Sequence, residues 1–94
     1  MPEVLSPEAA DSALQERSIA WTREGSELVK HVRRDAFAGA LAYVNEVGAL
    51  AEAANHHPDI DIRWDTVTLR LTTHSDGGLT EKDLALAEEI DRLG

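Results

Sequence analysis

Residues 59–73 read DIDIRWDTVTLRLTT and form the most regular stretch of the chain. Ile60 and Ile62 alternate with charged residues, and apolar residues at 67, 69 and 71 alternate with Thr and Arg. A period of two is typical of strands that bury one face and expose the other to water. The stretch therefore predicts an antiparallel hairpin, and we place its turn at Asp65 and Thr66.

A long helix is predicted directly before this hairpin, from Asp35 as its N-cap to Asn55. Its apolar residues recur at the three- and four-residue spacing of a helix face. About twenty residues would make a rod of roughly 30 Å, which is long for a chain of this size. Because apolar and small residues reach far around the helix, we expect helix 36–55 to cover a partner as well as the core. The stripe comprises Phe37, Leu41, Val44, Gly48 and Ala51, widened by Ala40, Val47, Leu50 and Ala54.

A shorter helix and a first hairpin are predicted at the N-terminal side. The helix begins after Ser6, which can cap it, has Pro7 at its first position and ends at about Arg17. Residues 21–34 predict two strands whose turn contains Gly25, because glycine readily adopts positive φ. The second of these strands alternates imperfectly between apolar and polar residues.

The last helix begins at Thr80, which forms a capping-box pattern with Asp83, and extends to Leu93. The element order is therefore α-β-β-α-β-β-α. Four strands in two hairpins predict a four-stranded antiparallel sheet with three helices on one face, an α+β two-layer domain. No linker or internal repeat divides the sequence, so one domain is expected over residues 1–94.

The composition excludes several classes of function. The chain has 94 residues, with 9 Lys and Arg against 18 Asp and Glu, and a net charge of −9. Nucleic acids and anionic membranes bind clustered basic residues, so neither is expected as a partner. The absence of cysteine excludes disulfides, thiolate zinc sites and cysteine nucleophiles. The sequence shows neither a signal peptide nor a long apolar run, so we expect a cytoplasmic protein.

Three histidines are predicted to meet at one edge of the domain. His56 and His57 end the long helix, and Pro58 disfavours helical geometry at His57, so the chain turns there. His74 directly follows the last strand. The ends of helices and strands meet at the rim of a domain, where clefts form. The fourth histidine, His31, lies among polar residues of a predicted strand and is interpreted as a surface residue.

Each candidate residue also has a simple structural explanation. A histidine at a helix C-terminus often only caps the helix or interacts with its dipole. Taken alone, Asp83 is explained as a helix cap, Glu52 as a solvated helix residue and Trp64 as a cross-strand packing residue. Only the combination of these residues points to chemistry.

The combination has a defined spacing along the chain. It comprises Glu52, three residues, His56-His57-Pro58, five residues, Trp64, nine residues, His74, eight residues and Asp83. This string resembles the signature of the pterin-4a-carbinolamine dehydratases. Thr72-Thr73-His74 and Gly78-Leu79-Thr80 are similar to that family's sequence around its third histidine, and the resemblance covers about residues 14–93.

The resemblance implies a reaction on a reduced pterin, which is the substrate, so no cofactor is expected. Aromatic amino-acid hydroxylases release their pterin as a 4a-carbinolamine, and the dehydratase removes water to give the quinonoid dihydropterin. Hydroxide is a poor leaving group and needs an acid, while N5 must lose a proton to a base. Histidine suits both roles because its unperturbed pKa of about 6.5 lies near working pH.

Carried over to this sequence, the resemblance makes His56 and His74 the proton-transfer pair, with the acid and the base left unassigned. His57 would hold the pterin and its C4a hydroxyl. Alanine at both His56 and His74 is expected to abolish most of the catalysis and to leave the fold intact.

The resemblance also implies supporting roles and an assembly. Glu52 would orient a histidine, Asp83 would be a further acid or a ring contact, and Trp64 would support the pocket wall. The family forms dimers, often in pairs packed through the long helix. A homodimer or homotetramer is therefore expected, held through that helix and the sheet edges.

Two other functions compete with the enzyme. Some members of the family act as dimerisation cofactors of a transcription factor, and some relatives that lack the catalytic residues serve as assembly factors. A non-catalytic module acting through helix 36–55 is therefore the alternative, although this chain keeps the full set of histidines. A zinc site is not predicted, because adjacent histidines rarely present both rings to one ion and no His-x₃-His pair is present.

Overall fold

A computed structural model describes residues 3–94 as three helices and four strands in the predicted order. The helices are α1 (Pro7–Glu16), α2 (Phe37–Ala54) and α3 (Glu81–Asp91), and the strands are β1 (Thr22–Glu24), β2 (Glu27–Arg33), β3 (Asp59–Arg63) and β4 (Thr66–Leu71). The strands form one sheet in the order β1-β2-β4-β3, and all neighbours are antiparallel. The α+β prediction, with three helices on one face of the sheet, is confirmed. No helix within residues 3–94 is both long and apolar enough to cross a membrane.

Strand β4 is the centre of the core. Val67, Leu69 and Leu71 are fully buried and alternate with residues that are half-buried, as the period of two predicts. Their side chains pack in one cluster with buried residues from all three helices, because apolar area removed from water stabilises the fold. The helical members of the cluster include Ala10 of α1, Val47 of α2, and Leu84, Leu86 and Ile90 of α3.

The imperfect alternation of β2 has a physical cause. Lys30 is paired with Leu69 in the sheet and therefore lies on the face that the helices cover. Its aliphatic stem is largely buried, and its ammonium reaches Asp91 at the end of α3, with Nζ and Oδ1 2.5 Å apart. A lysine can occupy such an apolar position because its stem packs while its charged end finds a partner.

Helix α2 is oriented differently from the predicted stripe. The buried residues are Ala40, Tyr43, Val47 and Ala51, whereas Phe37 and Leu41 are 44% and 41% exposed. The predicted N-cap at Asp35 is also wrong, because the N-cap is Ala36, whose extended backbone has no side-chain capping bond. A helix that is apolar on many sides carries no pattern to show which side meets the sheet.

The second hairpin differs from the prediction at its edge and at its turn. Ile60 faces the helical side of β3 yet is 38% exposed, because β3 is an edge strand that the helices cover incompletely. The turn comprises Trp64 and Asp65, because Thr66 is already paired with Arg63. Trp64 has a φ of 54° and stacks on Phe37 with the ring centroids 6.3 Å apart.

The start signals of α1 and α3 are confirmed. The Ser6 side chain accepts a hydrogen bond from the backbone N–H of Ala9, and Pro7 occupies the first helical position. Thr80 and Asp83 form the predicted capping box at α3. Each cap satisfies backbone N–H groups that a helix N-terminus would otherwise leave unpaired.

Arg17 connects the end of α1 to α3. Its two terminal nitrogens each lie 2.8 Å from an oxygen of Glu81, and its Nε lies 2.9 Å from Glu88. This bidentate contact holds the pKa of the Glu81 carboxyl below its usual range. Both partners are partly exposed, so solvent screening limits the contribution of the contact to stability.

Replacing Arg17 by Gln is expected to lower the free energy of unfolding by about 1 kcal/mol at pH 7, or roughly 4–8 °C in Tm. Because Glu81 has a lowered pKa in the folded state, this stabilisation is complete above the unfolded value and is lost as the pH falls through the folded one. Urea unfolding of both proteins at pH 7 and pH 3 measures the difference. Arg92→Gln, which removes a solvent-exposed pair with Glu89, is the control. An equal deficit for Arg17→Gln at both pH values would contradict the role of Glu81.

Candidate functional site

The three predicted histidines line one cleft. The cleft has a volume of about 280 Å³ and lies where the end of α2 meets the segment that follows β4. Its walls comprise Asn55, His56, His57, Thr72, Thr73, His74, Ser75 and Lys82. The predicted meeting of a helix end and a strand end at the rim therefore gives a concave surface with three imidazoles.

Asn55 makes the sharp turn that separates the two adjacent histidines from α2. Its backbone is left-handed, with φ 50° and ψ 43°, and its N–H bonds to the carbonyls of Ala51 and Glu52. Asparagine adopts this conformation more readily than most residues. The helix thus ends just before His56, and the following residues leave in an extended direction toward β3.

His56 points inward and meets a buried carboxylate. Its Nε2 lies 2.6 Å from Oδ1 of Asp83, and the side chains are 11% and 0% exposed. The second oxygen of Asp83 accepts the Thr73 hydroxyl at 2.8 Å and the Thr80 backbone N–H at 2.9 Å. An ionised carboxylate can only accept hydrogen bonds, so we assign the hydrogen of this contact to Nε2 of His56. Nδ1 is then the ring nitrogen that is left for a ligand.

Asp83 has two structural roles, the predicted helix cap and a contact with His56 that was not predicted. Its carboxylate completes the capping box of α3 and at the same time fixes the orientation of His56. A buried charge is tolerated only when its lone pairs are satisfied, and three donors satisfy this one. Alanine at His56 would remove one of these donors, so we expect it to lower the free energy of unfolding; that the fold stays intact remains a prediction.

Thr73 is a site residue that the sequence analysis did not assign a role. It is 3% exposed, and its hydroxyl lies 2.8 Å from both the Thr80 hydroxyl and Asp83 Oδ2. The period of two along β4 could have found it, since Leu69, Leu71 and Thr73 continue one inward face. A buried hydroxyl on that face requires a polar partner.

His57 points the other way and pairs with Glu52. Its Nε2 lies 2.5 Å from Oε2 of Glu52, and the two side chains are 55% and 79% exposed. The contact that the resemblance implies between Glu52 and a histidine is therefore present. Because both groups are in water, the pair contributes little to stability.

His74 opens a short 3₁₀ helix, His74–Asp76, at the other wall of the cleft. The residue is exposed, and within residues 3–94 its imidazole forms no hydrogen bond. His56 and His57, in contrast, each form a hydrogen bond with a carboxylate. An imidazole without a protein partner is available to exchange protons with a ligand or with water.

Trp64 and His31 lie away from the cleft. Trp64 is at the turn beyond the far end of β3, and five strand residues separate it from the histidine end by about 16 Å. It is 69% exposed and, within one chain, does not line the cleft as the resemblance implied. His31 lies on the exposed face of the sheet, where its Nδ1 is 2.9 Å from the Thr68 hydroxyl, which agrees with its interpretation as a surface residue.

Within the described residues, no group of three or more His, Asp or Glu side chains is arranged to hold a metal ion.

Comparison with known sequences shows the family of this chain. Residues 3–93 match the family described as pterin 4 alpha carbinolamine dehydratase. A protein of Nocardia farcinica named as a pterin-4-alpha-carbinolamine dehydratase is 52% identical over 91 residues, 97% of this chain and 95% of that protein. One of Roseiflexus with the same name is 49% identical over 92 residues, 95% of this chain and 99% of that protein.

Solved structures agree in fold. A transcriptional coactivator/pterin dehydratase from Brucella melitensis superposes with a TM-score of 0.87 at 23% identity and covers 97% of this chain and 98% of that one. A pterin dehydratase-like protein described as a RuBisCO assembly factor in the alpha-carboxysome has a TM-score of 0.62 at 24% identity and covers 78% of this chain and 84% of that one. Because the family match covers almost the whole sequence and full-length relatives are about half identical, the chain belongs to the pterin-4-alpha-carbinolamine dehydratase family.

Proposed function

We propose that this chain dehydrates 4a-hydroxytetrahydropterins to quinonoid dihydropterins. The observation that carries the proposal is one cleft in which a buried His56–Asp83 pair lies beside an imidazole, that of His74, with no protein partner. Family membership supports the reaction, and the two histidines of the cleft are the groups that we propose as its base and its acid. The product would be reduced again, so that the pterin serves an aromatic amino-acid hydroxylase repeatedly.

The reaction is an elimination of water that needs two proton transfers. The C4a–O bond breaks, its electron pair leaves with the hydroxyl group, and a proton converts that group to water. N5 loses its proton, and the N–H electron pair forms the C4a=N5 double bond. No oxidant, reductant or covalent intermediate is required, because carbinolamines lose water without help. Each positioned proton transfer contributes roughly 10²- to 10⁴-fold to the rate.

We assign His56 as the base and His74 as the acid. Asp83 holds the proton of His56 on Nε2, which leaves the lone pair of Nδ1 to accept the proton of N5. His74 is exposed and so can take up a proton from water before it donates one to the leaving hydroxyl. His57, held by Glu52 at the rim, would contact the pterin and its hydroxyl group. The pterin is the substrate, so this proposal involves no further cofactor, and the cytoplasmic location remains a prediction.

A coupled assay tests the proposal. A pterin-dependent phenylalanine hydroxylase generates the 4a-carbinolamine in place, and ultraviolet absorbance follows its decay with and without this chain. Faster decay that disappears with the His56→Gln, His74→Gln double variant would support the dehydratase. No acceleration by a folded protein would overturn it and would make the non-catalytic module the leading function.

The exposed side of α2 supports self-association, the second part of the proposal. Phe37 and Leu41 lie one helical turn apart, and Trp64 stacks on Phe37, so three large apolar side chains are exposed together. Contiguous exposed apolar surface usually marks an interaction site. These three residues, Phe37, Leu41 and Trp64, form an exposed apolar face. We assign this face to contact between copies of the chain. The same face would serve the alternative, non-catalytic module.

Replacing Leu41 by Glu is expected to shift the chain toward monomers, because a carboxylate would be buried in the apolar contact. Light scattering coupled to size exclusion measures the mass at several protein concentrations. Ala42→Glu, one position further around the same helix and also exposed, is the matched control for added charge. A wild-type mass equal to one chain at all concentrations would contradict self-association.

A further inference from the structure

A second concave surface adjoins the histidine cleft. It is a groove of about 440 Å³ between α2 and α3, and its walls are mainly apolar. The groove and the cleft share His56 and Lys82, so the two spaces meet at these residues. The other walls are formed by Leu50, Ala53, Ala54, Ala85, Leu86 and Glu89.

Lys82 at this junction differs from the other cations of the chain. Seven of the 9 Lys and Arg residues form ion pairs with carboxylates. An eighth, Arg34, donates to the carbonyl of Gly94 and lies over the Tyr43 ring. Within residues 3–94, the Lys82 ammonium has neither an ion pair nor a hydrogen bond.

An unpaired cation is notable in a chain with twice as many acids as bases. Carboxylates outnumber cations, so a lysine readily finds an acidic neighbour on such a surface. Lys82 lines both the cleft and the groove together with His56, so a ligand that extended from the cleft into the groove would pass it. Its three N–H donors are therefore available to a ligand.

We propose that Lys82 is a specificity-determining residue that binds an anionic oxygen on the pterin's C6 substituent, close to the ring. This inference rests on the proposed function, because it assumes that the pterin ring lies between His56 and His74. An ammonium pairs with a carboxylate or phosphate more strongly than with a hydroxyl, since both partners are charged. The apolar groove beyond Lys82 leaves room for the remainder of the substituent but offers few polar groups to hydroxyls.

Two small pterins of nearly equal size test the proposal. Pterin-6-carboxylate carries the anionic oxygen, and 6-hydroxymethylpterin carries a neutral hydroxyl in its place. Pterin fluorescence measures the Kd of each for the wild-type chain, Lys82→Gln and Lys82→Arg. Arg63→Gln, which removes one positive charge at the far hairpin turn, is the control for net charge.

The wild-type chain is expected to prefer the carboxylate by about tenfold, as one charge-assisted contact at a partly open site allows. Lys82→Gln should abolish this preference, and Lys82→Arg and Arg63→Gln should retain it. Equal losses for both pterins in Lys82→Gln would overturn the proposal and assign Lys82 to the ring. Absence of any preference in a wild-type chain that passes the coupled assay would overturn the inference alone. A wild-type chain that binds neither pterin and fails that assay would overturn the proposed function as well.

Discussion

His56→Gln is expected to slow the dehydration by about 10²- to 10⁴-fold, because it removes one positioned proton transfer. Glutamine is preferred to alanine here, since its side-chain amide can still donate to the buried Asp83 carboxylate. His74→Gln should give a loss of similar size without any loss of stability, because that imidazole is exposed. The coupled assay gives kcat and KM for each variant, and urea unfolding shows whether the fold is retained.

The His56→Gln, His74→Gln double variant shows whether the two histidines act in the same elimination or affect the rate independently. Carbinolamines dehydrate unaided, so the rate cannot fall below that of the uncatalysed reaction. If both histidines act in one elimination, we expect the double variant to be scarcely slower than either single variant. The change should lie in kcat rather than in KM, since proton transfer takes place only in the transition state.

His31→Gln is the matched control for these substitutions. His31 is exposed on the other face of the sheet and contacts Thr68, so its replacement should leave the rate within about twofold of the wild type. Unchanged turnover in folded His56→Gln and His74→Gln would contradict the assignment of both residues. A loss confined to KM would instead make them binding residues.

Strand β4 and helix α3 could be predicted from the sequence because each has one clear pattern. In β4, apolar and polar residues alternate without exception, and only one register buries Val67, Leu69 and Leu71. In α3, Thr80 and Asp83 form a local capping box that depends on no distant residue. Patterns of this kind depend only on residues that are close together in the sequence, so they could be identified without knowledge of the tertiary contacts.

Helix α2 could be predicted as a helix but not oriented. Apolar side chains occur on several of its sides, so Phe37 and Leu41 fit an inward stripe as well as Tyr43 and Val47 do. The sheet decides between these stripes, because only one side of the helix can pack against it. The exposed alternative then becomes the surface that we assign to self-association.

The site could be predicted as a group of histidines but not as a network. The bond between His56 and Asp83 joins residues 27 positions apart, and no periodicity indicates such a contact. Each residue has a sufficient local explanation as a helix end or a helix cap. Trp64 shows a different limit. The family resemblance implied a place at the pocket wall, whereas within one chain the extended strand β3 carries Trp64 to the other end of the sheet.

The buried carboxylate of Asp83 provides the second large effect. Asp83→Ala is expected to lower the free energy of unfolding by about 3 kcal/mol, because it leaves the donors of His56, Thr73 and Thr80 without an acceptor. A domain of this size has only about 5–15 kcal/mol in total, so the alanine variant would lose a substantial part of its stability and melt well below the wild type. Urea and thermal unfolding measure this loss.

Asp83→Asn separates catalysis from stability. Its amide oxygen can keep the bonds from Thr73 and Thr80, while its NH₂ group must face Nε2 of His56. His56 then needs its proton on Nδ1 and loses the lone pair that we assign to the base. We expect about 10²- to 10³-fold slower dehydration in a folded protein, with ¹⁵N NMR shifts of His56 reporting the change of tautomer. Asp61→Asn, the same substitution at an exposed carboxylate of β3 that pairs with Arg63 away from the cleft, should change the rate by less than about threefold. Full activity in Asp83→Asn would show that the carboxylate only caps α3, whereas a slow, folded variant with the altered tautomer would make His56 and Asp83 one catalytic unit.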